Sequence, residues 1–483
     1  MGATTTPELN VNLPLLLAGK WLETGEWVKV LSPYDGTLLA RVAVGDAETV
    51  HQATVAAHEA FKTSCFPQHE RAAVLRRAAR IVAERTDELA ATIANEAGKP
   101  LAAATVEARR CAETFELSAV EALKLTGSTV PMDSSAAGVG KLGVVLRVPY
   151  GVVGAISPFN FPLNLVAHKL GPAIAAGNAV VLKPAERTPM SALKLAGILL
   201  EAGLPEGWLS VVPGLGPTVG EAIVSHELIR AITFTGSGKV GWEIRSRAPH
   251  KRVNLELGSN APLIVHCDGD WETAADKATL HAFAFAGQAC ISIQRILLHE
   301  EVADGFIERL VANVKRLQVG DPLDRATDVG PLITPDSRDR VKCWVEEAID
   351  AGADLLIGGD VVDEGRCLAP TLLGSPPKDS KVWREEVFGP VATIDRYREF
   401  DEALAMANDT RFGLQAGVFT RDIGRALHAA RALDFGGVLI NEVPSFRADQ
   451  QPYGGVKESG NTREGPASAV LELSEERFVT LQG

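Results

Sequence analysis

The chain has 483 residues, of which 46% are hydrophobic, and a formal net charge of −13 at pH 7. Its length predicts two to four domains with sizeable apolar cores. The negative charge and the lack of any long Lys/Arg cluster argue against nucleic acid and anionic membrane surfaces as partners.

Cysteine usage indicates a reducing compartment. The cysteines lie far apart and form no C-x-x-C pair: Cys65, Cys111, Cys267, Cys290, Cys343 and Cys367. So few cysteines do not make a disulfide framework, and we therefore expect a cytoplasmic protein. The apolar stretch "LPLLLAG" is short, contains a proline and lacks a basic flank, so it predicts neither a signal peptide nor a membrane span.

Helical patterns dominate the first third of the chain. Asp46 is placed to cap a helix over "AETVHQATVAAHEAF". A 3.6-residue apolar period then runs through "ERAAVLRRAARIVAERTDELAATIANEAG" as far as Gly98, and helix resumes in "ATVEARRCAETFELSAVEAL".

From Leu142 onward, short β-branched segments alternate with helices. Strands are predicted in "LGVVLRVPYGVVGAIS", "NAVVLKP", "LSVVPG" and "IRAITFTGS", with helices around "MSALKLAGILLEAG" and from about Thr218. This βαβαβ pattern is typical of a parallel sheet with helices on its faces.

A second alternation follows "VNLELGSNAPLIV". It predicts a helix over 270–286, a strand over 293–299, helices over 300–317 and 335–351, and a strand in "GGVLIN". The closing segment "AVLELSEERFVTLQ" predicts a terminal strand. The fold class is therefore α/β, with two α/β units.

Three residues stand in contexts that admit a chemical role. Cys290, in "FAGQACISIQR", has no cysteine, histidine or carboxylate close in sequence, so it is buried filler, a metal ligand or a nucleophile. Glu256, between two leucines of a buried-strand pattern, is a paired structural acid or a base with a raised pKa. Asn160, in "ISPFNFPLN", is a turn residue or a fixed amide donor.

Glycines and histidines bear on ligand binding. Gly236, Ser237 and Gly241 of "FTGSGKVG" lie at a strand-to-helix junction, which is either an ordinary turn or a place where backbone N–H groups face a phosphate. His266 and Cys267, with His281 further on, lack the ligand spacing of a zinc site, so no metal is predicted.

The segments together resemble the aldehyde dehydrogenase superfamily. The matching motifs, in order, are "SPFNFPLNLVAHKLGPAIAAGNAVVLKPAE", "FTGSGKVG", "NLELGSNAP", "GQACISIQR", "EEVFGPV", "FGLQAGVFT" and "PYGGVKESG". The resemblance runs from "AGKW" to the final strand and is similar to the branch of lactaldehyde, phosphonoacetaldehyde and non-phosphorylating glyceraldehyde-3-phosphate dehydrogenases.

The resemblance implies three structural parts. A Rossmann-like NAD-binding domain is expected over 1–127 and 148–256, and an α/β catalytic domain over 257–460. A small β oligomerisation element is expected over 128–147 and 466–483. A homo-oligomer, either dimer or tetramer, follows from it.

The resemblance also implies an NAD-dependent oxidation of an aldehyde to the carboxylic acid. Cys290 matches the nucleophile that forms a thiohemiacetal and then a thioester. The Asn160 side-chain amide and the Cys290 backbone N–H would hold the oxyanion, and Glu256 would activate the hydrolytic water.

For the cofactor, the family pattern maps Lys183 and Glu186 onto the adenosine ribose, Gly236 and Ser237 onto the pyrophosphate, and Glu386 and Phe388 onto the nicotinamide riboside. The same resemblance assigns the rest of the cofactor site to Ile156, Ser157, Pro158, Phe159, Ala185, Gly216, Phe234, Gly241 and Leu257. A carboxylate at Glu186 accepts hydroxyl hydrogen bonds but repels a 2′-phosphate, so NAD is expected in preference to NADP.

The substrate is expected to be a small aldehyde, hydroxylated or anionic and similar to lactaldehyde. Arg110, Phe161 and Arg447 are the candidate substrate residues. The two arginines would contact an anionic or hydroxyl group, against the alternative of a solvated face or a salt bridge. Phe161 and Ala289 stand where phosphonate-specific members carry histidine and arginine, which weakens a phosphonate reading.

Three alternatives remain open at this point. They are a CoA-acylating aldehyde dehydrogenase, a phosphonoacetaldehyde or sulfo-aldehyde dehydrogenase and, least favoured, a non-catalytic NAD-binding protein. Ser259, Asn260 and Thr462 depart from the family pattern, and the sequence offers no physical account of them.

Overall fold

The computed structural model describes residues 11–483; residues 1–10, which open the predicted NAD-binding segment, lie outside the described residues. The helices are α1 (Ala47–Thr63), α2 (Gln68–Glu84), α3 (Thr86–Ala97), α4 (Leu101–Lys124), α5 (Asn164–Ala176), α6 (Pro189–Glu201), α7 (Glu221–Ser225), α8 (Gly238–Arg247), α9 (Trp271–Phe283), α10 (Glu300–Val314), α11 (Pro335–Asp350), α12 (Lys381–Arg384), α13 (Phe400–Asn408), α14 (Ile423–Ala432) and α15 (Pro466–Glu472).

The strands are β1 (Val11–Leu13), β2 (Leu15–Leu17), β3 (Lys20–Leu22), β4 (Trp27–Leu31), β5 (Leu38–Ala43), β6 (Ser128–Val130), β7 (Lys141–Pro149), β8 (Val152–Ile156), β9 (Ala179–Lys183), β10 (Leu209–Val211), β11 (Ile229–Thr235), β12 (Arg252–Glu256), β13 (Ala261–Val265), β14 (Ile293–His299), β15 (Asp354–Ile357), β16 (Val361–Val362), β17 (Cys367–Leu368), β18 (Thr371–Gly374), β19 (Val391–Tyr397), β20 (Gln415–Phe419), β21 (Gly437–Ile440) and β22 (Ser474–Gln482).

Local sequence signals explain the helix boundaries of the first third. Asp46 accepts a hydrogen bond from the Thr49 N–H at 2.8 Å while the Thr49 hydroxyl accepts one from the Asp46 N–H, which is a reciprocal cap at the start of α1. Gly98, with φ of 69°, ends α3. The helix predicted from residue 70 to 98 is two helices, because Arg85 leaves the helical region with φ of −105° and ψ of 21°.

The strands before α1 were missed by the sequence reasoning, which expected the first third to be mostly helical. Each of β1 to β5 has only three to six residues. Such segments are too short to show a clear alternation of apolar and polar positions, so tertiary pairing decides their conformation.

One seven-stranded sheet has the order β12-β11-β8-β9-β10-β2-β3. Strands β12 to β10 of this order run parallel, and β2 and β3 extend the edge in antiparallel fashion. All residues of β8 and β9 are buried, as expected for strands covered on both faces. The carboxyl ends of the parallel strands lie at one edge, so the residues after Ile156, Lys183, Thr235 and Glu256 meet there.

A second seven-stranded sheet has the order β15-β18-β19-β14-β13-β20-β21, parallel except for the edge strand β15. Apolar residues from Leu263 to Val443 form its core, while the core of the first sheet is built almost wholly from residues 16–257. The predicted boundaries of the two larger domains remain a prediction.

The third sheet is small and antiparallel, with the order β22-β7-β6. Leu142, Leu146, Phe478 and Leu481 are exposed on it. The strand predicted for "AVLELSEERFVTLQ" is correct from Ser474, but residues 466–472 form α15 instead. Pro466 at the first helical position, preceded by Gly465 with φ of 97°, favours that helix start.

No helix within residues 11–483 is long and apolar enough to cross a membrane.

Candidate active site

A cavity of about 900 Å³ opens at the carboxyl edge of the first sheet. Asn160 and Cys290 line it, together with every residue expected at the cofactor except Gly241: Ile156, Ser157, Pro158, Phe159, Lys183, Ala185, Glu186, Gly216, Phe234, Gly236, Ser237, Leu257, Glu386 and Phe388. The parallel strands of the first sheet end at one edge and bring the residues from 156 to 257 together there. Cys290, Glu386 and Phe388 reach the same cavity from loops that precede strands of the second sheet, up to 232 residues away in sequence.

Gly241 lies behind the cavity wall. A Cβ added at this glycine would stand 2.4 Å from a methyl carbon of Leu257. The glycine therefore allows α8 to approach the chain after β12, and the N-terminus of α8 follows Gly236 and Ser237 directly. Backbone N–H groups at such a junction can hold a phosphate.

A left-handed turn places Cys290. The predicted helix over 270–286 ends at Phe283, because Phe285 and Ala286 adopt φ of 50° and 52°. Gly287 follows with φ of 68°, and a Cβ there would stand 2.0 Å from the Gly389 carbonyl oxygen. Strained backbone of this kind persists only where the surroundings hold it, and here it directs Cys290 into the cavity.

The Cys290 thiol lies 2.8 Å from the Tyr453 hydroxyl. Burial raises the pKa of the thiol to about 12, the Tyr453 hydrogen bond and the Arg447 charge act to lower it, and Glu386 and Glu256 add to the rise. The resting group is therefore a thiol that needs hydrogen bonding or charge to become a nucleophile. The sequence reasoning did not single out Tyr453, although it quoted the motif that contains it.

Asn160 is buried, and its side-chain amide donates a 2.9 Å hydrogen bond to the Gln288 carbonyl. Gln288 is itself fixed, since its side chain donates to the Pro331 carbonyl and accepts from the Ile333 N–H. The amide of Asn160 is therefore held against the loop that carries Cys290. Gln288 is a second residue that the sequence reasoning missed.

Glu256 ends β12 and is buried, and neither carboxylate oxygen has a hydrogen-bond partner among the described residues. Burial raises the pKa of Glu256 well above its ordinary value, and the nearby Glu464 adds to the rise. Arg447 and Lys169 oppose it. A carboxyl group with a raised pKa is a stronger base once it is ionised, which suits a general base.

The charges around Glu256 form a buried network. Arg447 donates to Glu464 at 3.0 Å, and Lys169 lies 3.8 Å from the other Glu464 oxygen. Burial alone would raise the pKa of Glu464, but Arg447 and Lys169 together hold it below its ordinary value. The Arg447 guanidinium also stands over the Tyr453 ring, 3.9 Å from its centroid.

The two candidate substrate arginines differ in their surroundings. Arg110 makes a two-point ion pair with Asp449, with N–O distances of 2.7 and 3.0 Å, and Asp449 also lies 2.9 Å from His168 Nε2. The salt-bridge alternative thus describes the geometry of Arg110. Arg447 is paired with Glu464 as well, but its Nε is buried without a partner among the described residues.

Phe161, the residue after Asn160, covers the Lys99 ammonium, which lies 3.6 Å from the ring centroid. Lys99 is fully buried and paired with Glu107. The Phe161 ring therefore packs against a buried ion pair, and Phe161 does not line the cavity that Asn160 and Cys290 border.

Glu386 accepts a 2.9 Å hydrogen bond from the Ser259 N–H, and burial raises its pKa to about 7. A Cβ at Gly258 would stand 2.3 Å from a Glu386 oxygen, so a side chain there would displace the Glu386 carboxylate from its present position. The fully buried Asn260 donates to the carbonyls of Trp383 and Glu385. The departure at Asn260 therefore supports the segment that carries Glu386, whereas the Ser259 side chain has no structural explanation.

Glu186 faces the cavity beside Lys183, with Nζ and Oε1 2.9 Å apart, and accepts a 3.0 Å hydrogen bond from the Gly216 N–H. Burial alone would raise its pKa, but Lys183 lowers it below the ordinary value. A carboxylate is therefore present at this end of the cavity.

A separate cluster of two histidines and a cysteine lies at the carboxyl edge of the second sheet, whereas Cys290 precedes the amino end of its strand β14. His266, Cys267 and His299 place their ligand atoms within 4.8 Å of one another. The sequence reasoning considered His281 as the third group of this set and missed His299, because the pairing of β13 with β14 is not visible in the spacing.

The chain belongs to the aldehyde dehydrogenase family, whose model matches residues 21–479. It is accordingly an oxidoreductase that acts on an aldehyde group with NAD(P) as acceptor. The resemblance drawn from the motifs is confirmed, as is the α/β fold.

Relatives and solved structures agree on this family. The 3-sulfolactaldehyde dehydrogenase of Priestia megaterium is 44% identical over 97% of both chains, and the lactaldehyde dehydrogenase of Methanococcus vannielii is 38% identical over 97% of this chain and 99% of its own. Aldehyde dehydrogenase 21 from Physcomitrella patens, solved with its reaction product succinate, has a TM-score of 0.95 at 37% identity, covering 98% of this chain and 99% of its own. Glyceraldehyde-3-phosphate dehydrogenase GapN from Methanocaldococcus jannaschii, solved with NADP, has a TM-score of 0.90 at 39% identity, covering 94% and 99%.

Proposed function

We propose that this enzyme oxidises a small hydroxylated or anionic aldehyde to the carboxylic acid with NAD, through a thioester on Cys290 that water hydrolyses. The observation that carries the proposal is one cavity with Cys290 at its wall, the expected dinucleotide residues along it and the buried, unpaired carboxyl group of Glu256 near the thiol.

Cys290 attacks the aldehyde carbon as thiolate, and a C–S bond forms while the carbonyl oxygen becomes an oxyanion. The Asn160 amide and the Cys290 N–H are the donors for that oxyanion. The tetrahedral carbon then re-forms its C=O bond and loses hydride, which leaves a thioester on Cys290.

Glu256 takes a proton from water, and the resulting hydroxide attacks the thioester. The C–S bond breaks, the acid leaves and the thiolate is regenerated. The raised pKa of Glu256 suits this role, because a stronger conjugate base removes the proton more readily.

NAD fits the residues that are present. When bound, its nicotinamide accepts the hydride. The residues expected at the cofactor, with the exception of Gly241, line one cavity of about 900 Å³. Glu386 and Phe388 would hold the nicotinamide riboside, and Lys183 and Glu186 the adenosine ribose.

We propose a preference for NAD over NADP because the Glu186 carboxylate, already engaged with Lys183, would repel a 2′-phosphate. The NADP complex of GapN shows that relatives of this fold accept the phosphorylated cofactor. The preference for NAD is therefore proposed from Glu186 of this chain and does not follow from the fold.

Neither candidate arginine lines the cavity, but the Arg447 charge lies nearer the Cys290 thiol, behind Tyr453. Arg447 stands over Tyr453, which touches Cys290, and its Nε lacks a partner among the described residues. Arg110 is committed to Asp449 by two hydrogen bonds. An aldehyde with a sulfonate, carboxylate or hydroxyl group near the carbonyl fits this arrangement, and the sulfolactaldehyde and lactaldehyde relatives support it.

A CoA-acylating reaction is the second candidate. Glu256 disfavours it, since a buried base beside the thioester favours hydrolysis. CoA-stimulated turnover with acyl-CoA as product would overturn the hydrolytic proposal.

We also propose a homo-oligomer, dimer or tetramer, assembled through the sheet of β6, β7 and β22. Its exposed Leu142, Leu146, Phe478 and Leu481 give it an apolar surface that a second copy can cover.

Replacing the nucleophile tests the proposal directly. The Cys290→Ala variant should form no NADH with any aldehyde, because no thiohemiacetal can form. The measurement is NADH formation across lactaldehyde, glyceraldehyde, succinate semialdehyde, sulfolactaldehyde, phosphonoacetaldehyde and medium-chain alkanals. Cys343→Ala, at an exposed cysteine on α11, is the matched control and should retain wild-type kcat/KM. NADH production that survives Cys290→Ala would exclude the mechanism.

The Glu256→Gln variant should release a burst of about one NADH per active site and then turn over slowly, since hydride transfer remains and hydrolysis lacks its base.

Below its raised pKa Glu256 is protonated and cannot accept a proton, so wild-type kcat should rise with pH through a value above the ordinary 4.5. Stopped-flow and pH-rate measurements check both. The exposed Glu201→Gln variant is the control, and a Glu256→Gln variant with wild-type kcat contradicts the assignment.

Removing the Glu186 charge should reduce the preference for NAD over NADP. We expect the ratio of kcat/KM for NAD to that for NADP to fall roughly tenfold in Glu186→Gln, because the repulsion of the 2′-phosphate is lost. The exposed Glu206→Gln variant should leave the ratio unchanged. Equal kcat/KM values for NAD and NADP in the wild type would contradict the proposed preference for NAD.

A further inference from the structure

We propose that the Tyr453 hydroxyl is a further catalytic group, which donates a hydrogen bond to the Cys290 sulfur and stabilises its thiolate form. The inference rests on the proposed role of Cys290 as nucleophile, but its test does not require turnover of an aldehyde.

The direction of the hydrogen bond follows from the chemistry of the two groups. The hydroxyl and the sulfur are 2.8 Å apart, and no other side-chain partner of the hydroxyl occurs among the described residues. A thiolate has no proton, so in the reactive state only the phenol can donate. Burial raises the pKa of Tyr453 well above its ordinary value, and the phenol therefore keeps its proton throughout the neutral range.

The ring of Tyr453 is held from two sides. Its backbone N–H donates to the Glu464 carbonyl at 3.0 Å, and the Glu464 N–H donates back to the Tyr453 carbonyl. The Glu464 side chain accepts from Arg447, which lies 3.9 Å above the Tyr453 ring. A guanidinium over the ring draws electron density from the phenol and makes it a stronger donor. Arg447 is thus a positioning residue that acts through Tyr453.

Among the described residues, the charged side chains around the Cys290 thiol donate no hydrogen bond to its sulfur. Glu386 and Glu256 face Cys290 and disfavour a thiolate, and Arg447 favours it by charge. Lys169 is engaged with Glu464 and with the hydroxyl of Thr235. Tyr453 makes the one hydrogen bond to the sulfur among the described side chains.

The test compares two opposite changes of the donor. In Tyr453→Phe, the rate of alkylation of Cys290 by iodoacetamide near neutral pH should fall roughly tenfold or more, since a hydrogen bond to a charged group is lost. Site-specific replacement of Tyr453 by 3-fluorotyrosine, a more acidic phenol and stronger donor, should raise the rate. Mass spectrometry of the peptide that contains Cys290 separates it from the exposed Cys65 and Cys343.

Tyr34→Phe, remote from the cavity, is the matched control and should leave the rate unchanged. An equal or faster rate in Tyr453→Phe overturns the proposal, as does a fluorotyrosine protein that is not faster than wild type. A purely structural role of the ring would not give changes of opposite sign. If no aldehyde is oxidised yet both rate changes appear, the proposed function fails and the role of Tyr453 stands.

The cluster of His266, Cys267 and His299 supports a second, independent inference. His266 and Cys267 directly follow β13, and His299 ends the neighbouring parallel strand β14. The three side chains therefore meet at the carboxyl edge of the second sheet, whereas Cys290 precedes the amino end of β14. The cluster is separate from the aldehyde site.

The tautomer of His266 is fixed by a hydrogen bond at its Nδ1. The Tyr397 hydroxyl donates to the Val265 carbonyl at 3.1 Å, and its oxygen lies 3.1 Å from His266 Nδ1. His266 Nδ1 must then be the donor, which leaves the Nε2 lone pair for a metal. Metal-binding histidines are oriented by a partner on the other nitrogen in this way.

From this geometry we infer a binding site for a zinc-like divalent transition metal, with two imidazoles and one thiolate as ligands and one open position. Tetrahedral zinc with Zn–N of about 2.0 Å and Zn–S of about 2.3 Å needs these ligand atoms roughly 3.3 to 3.5 Å apart, so atoms that now lie up to 4.8 Å apart would approach by about 1 Å on binding. Cys267 and His299 are partly exposed, so an ion can enter. His299 gives up only a 3.3 Å hydrogen bond from the Glu301 N–H when its Nδ1 coordinates.

Co²⁺ is the probe, in a Cys290→Ala background that removes the thiol of the aldehyde site. We expect one equivalent bound, with a thiolate-to-cobalt charge-transfer band that is lost in Cys267→Ser and a binding constant weakened tenfold or more in His299→Ala. Cys343→Ser, at an exposed cysteine on α11, should retain the band. No band in the parent protein, or a band that persists in Cys267→Ser, overturns the inference.

Discussion

The arrangement around the Cys290 thiol depends on one buried charge. Arg447 lies between the Glu464 carboxylate and the ring of Tyr453, and Tyr453 touches the sulfur of Cys290. A guanidinium out of water requires a partner, and Glu464 supplies it. The same pair influences Glu256, whose pKa rises with burial and with the charge of Glu464 and is restrained by Arg447. The thiol and the base are thus set by one network.

That network forms where the chain returns from the second sheet to the first. Glu256 pairs with Gly460 in a short bridge, and the Leu257 N–H donates to the Ser459 carbonyl. The returning segment therefore lies beside the end of β12 and carries Tyr453 and Glu464 to the base. The third sheet, in which β22 pairs with β7, continues the same return. The last 40 residues therefore contribute both to the third sheet and to the buried network around Glu256 and Cys290.

Local signals allowed much of the fold to be predicted. The cap at Asp46, the stop at Gly98 and the alternation of apolar strands with helices all correspond to observed boundaries. The short strands before α1 and the helical start of the final segment were not predicted, because pairing and packing decide such short stretches. For the site, Cys290, Glu256, Asn160 and the dinucleotide residues were selected by motif. Tyr453, Gln288 and His299 were not, because their partners lie 163, 128 and 33 residues away.

By itself the sequence determined the family, the α/β class and which residues are candidates for the nucleophile, the base and the oxyanion donor, since motifs and apolar periodicity are local properties. Only the tertiary structure decided the electrostatic state of those groups. The pKa of a thiol or carboxyl depends on burial and on charges brought from distant segments, as with Cys290 beside Tyr453 and Glu256 beside Glu464. It also decided that Arg110 is bound to Asp449, whereas Arg447 stands next to the reaction centre, a distinction that spacing along the chain does not contain.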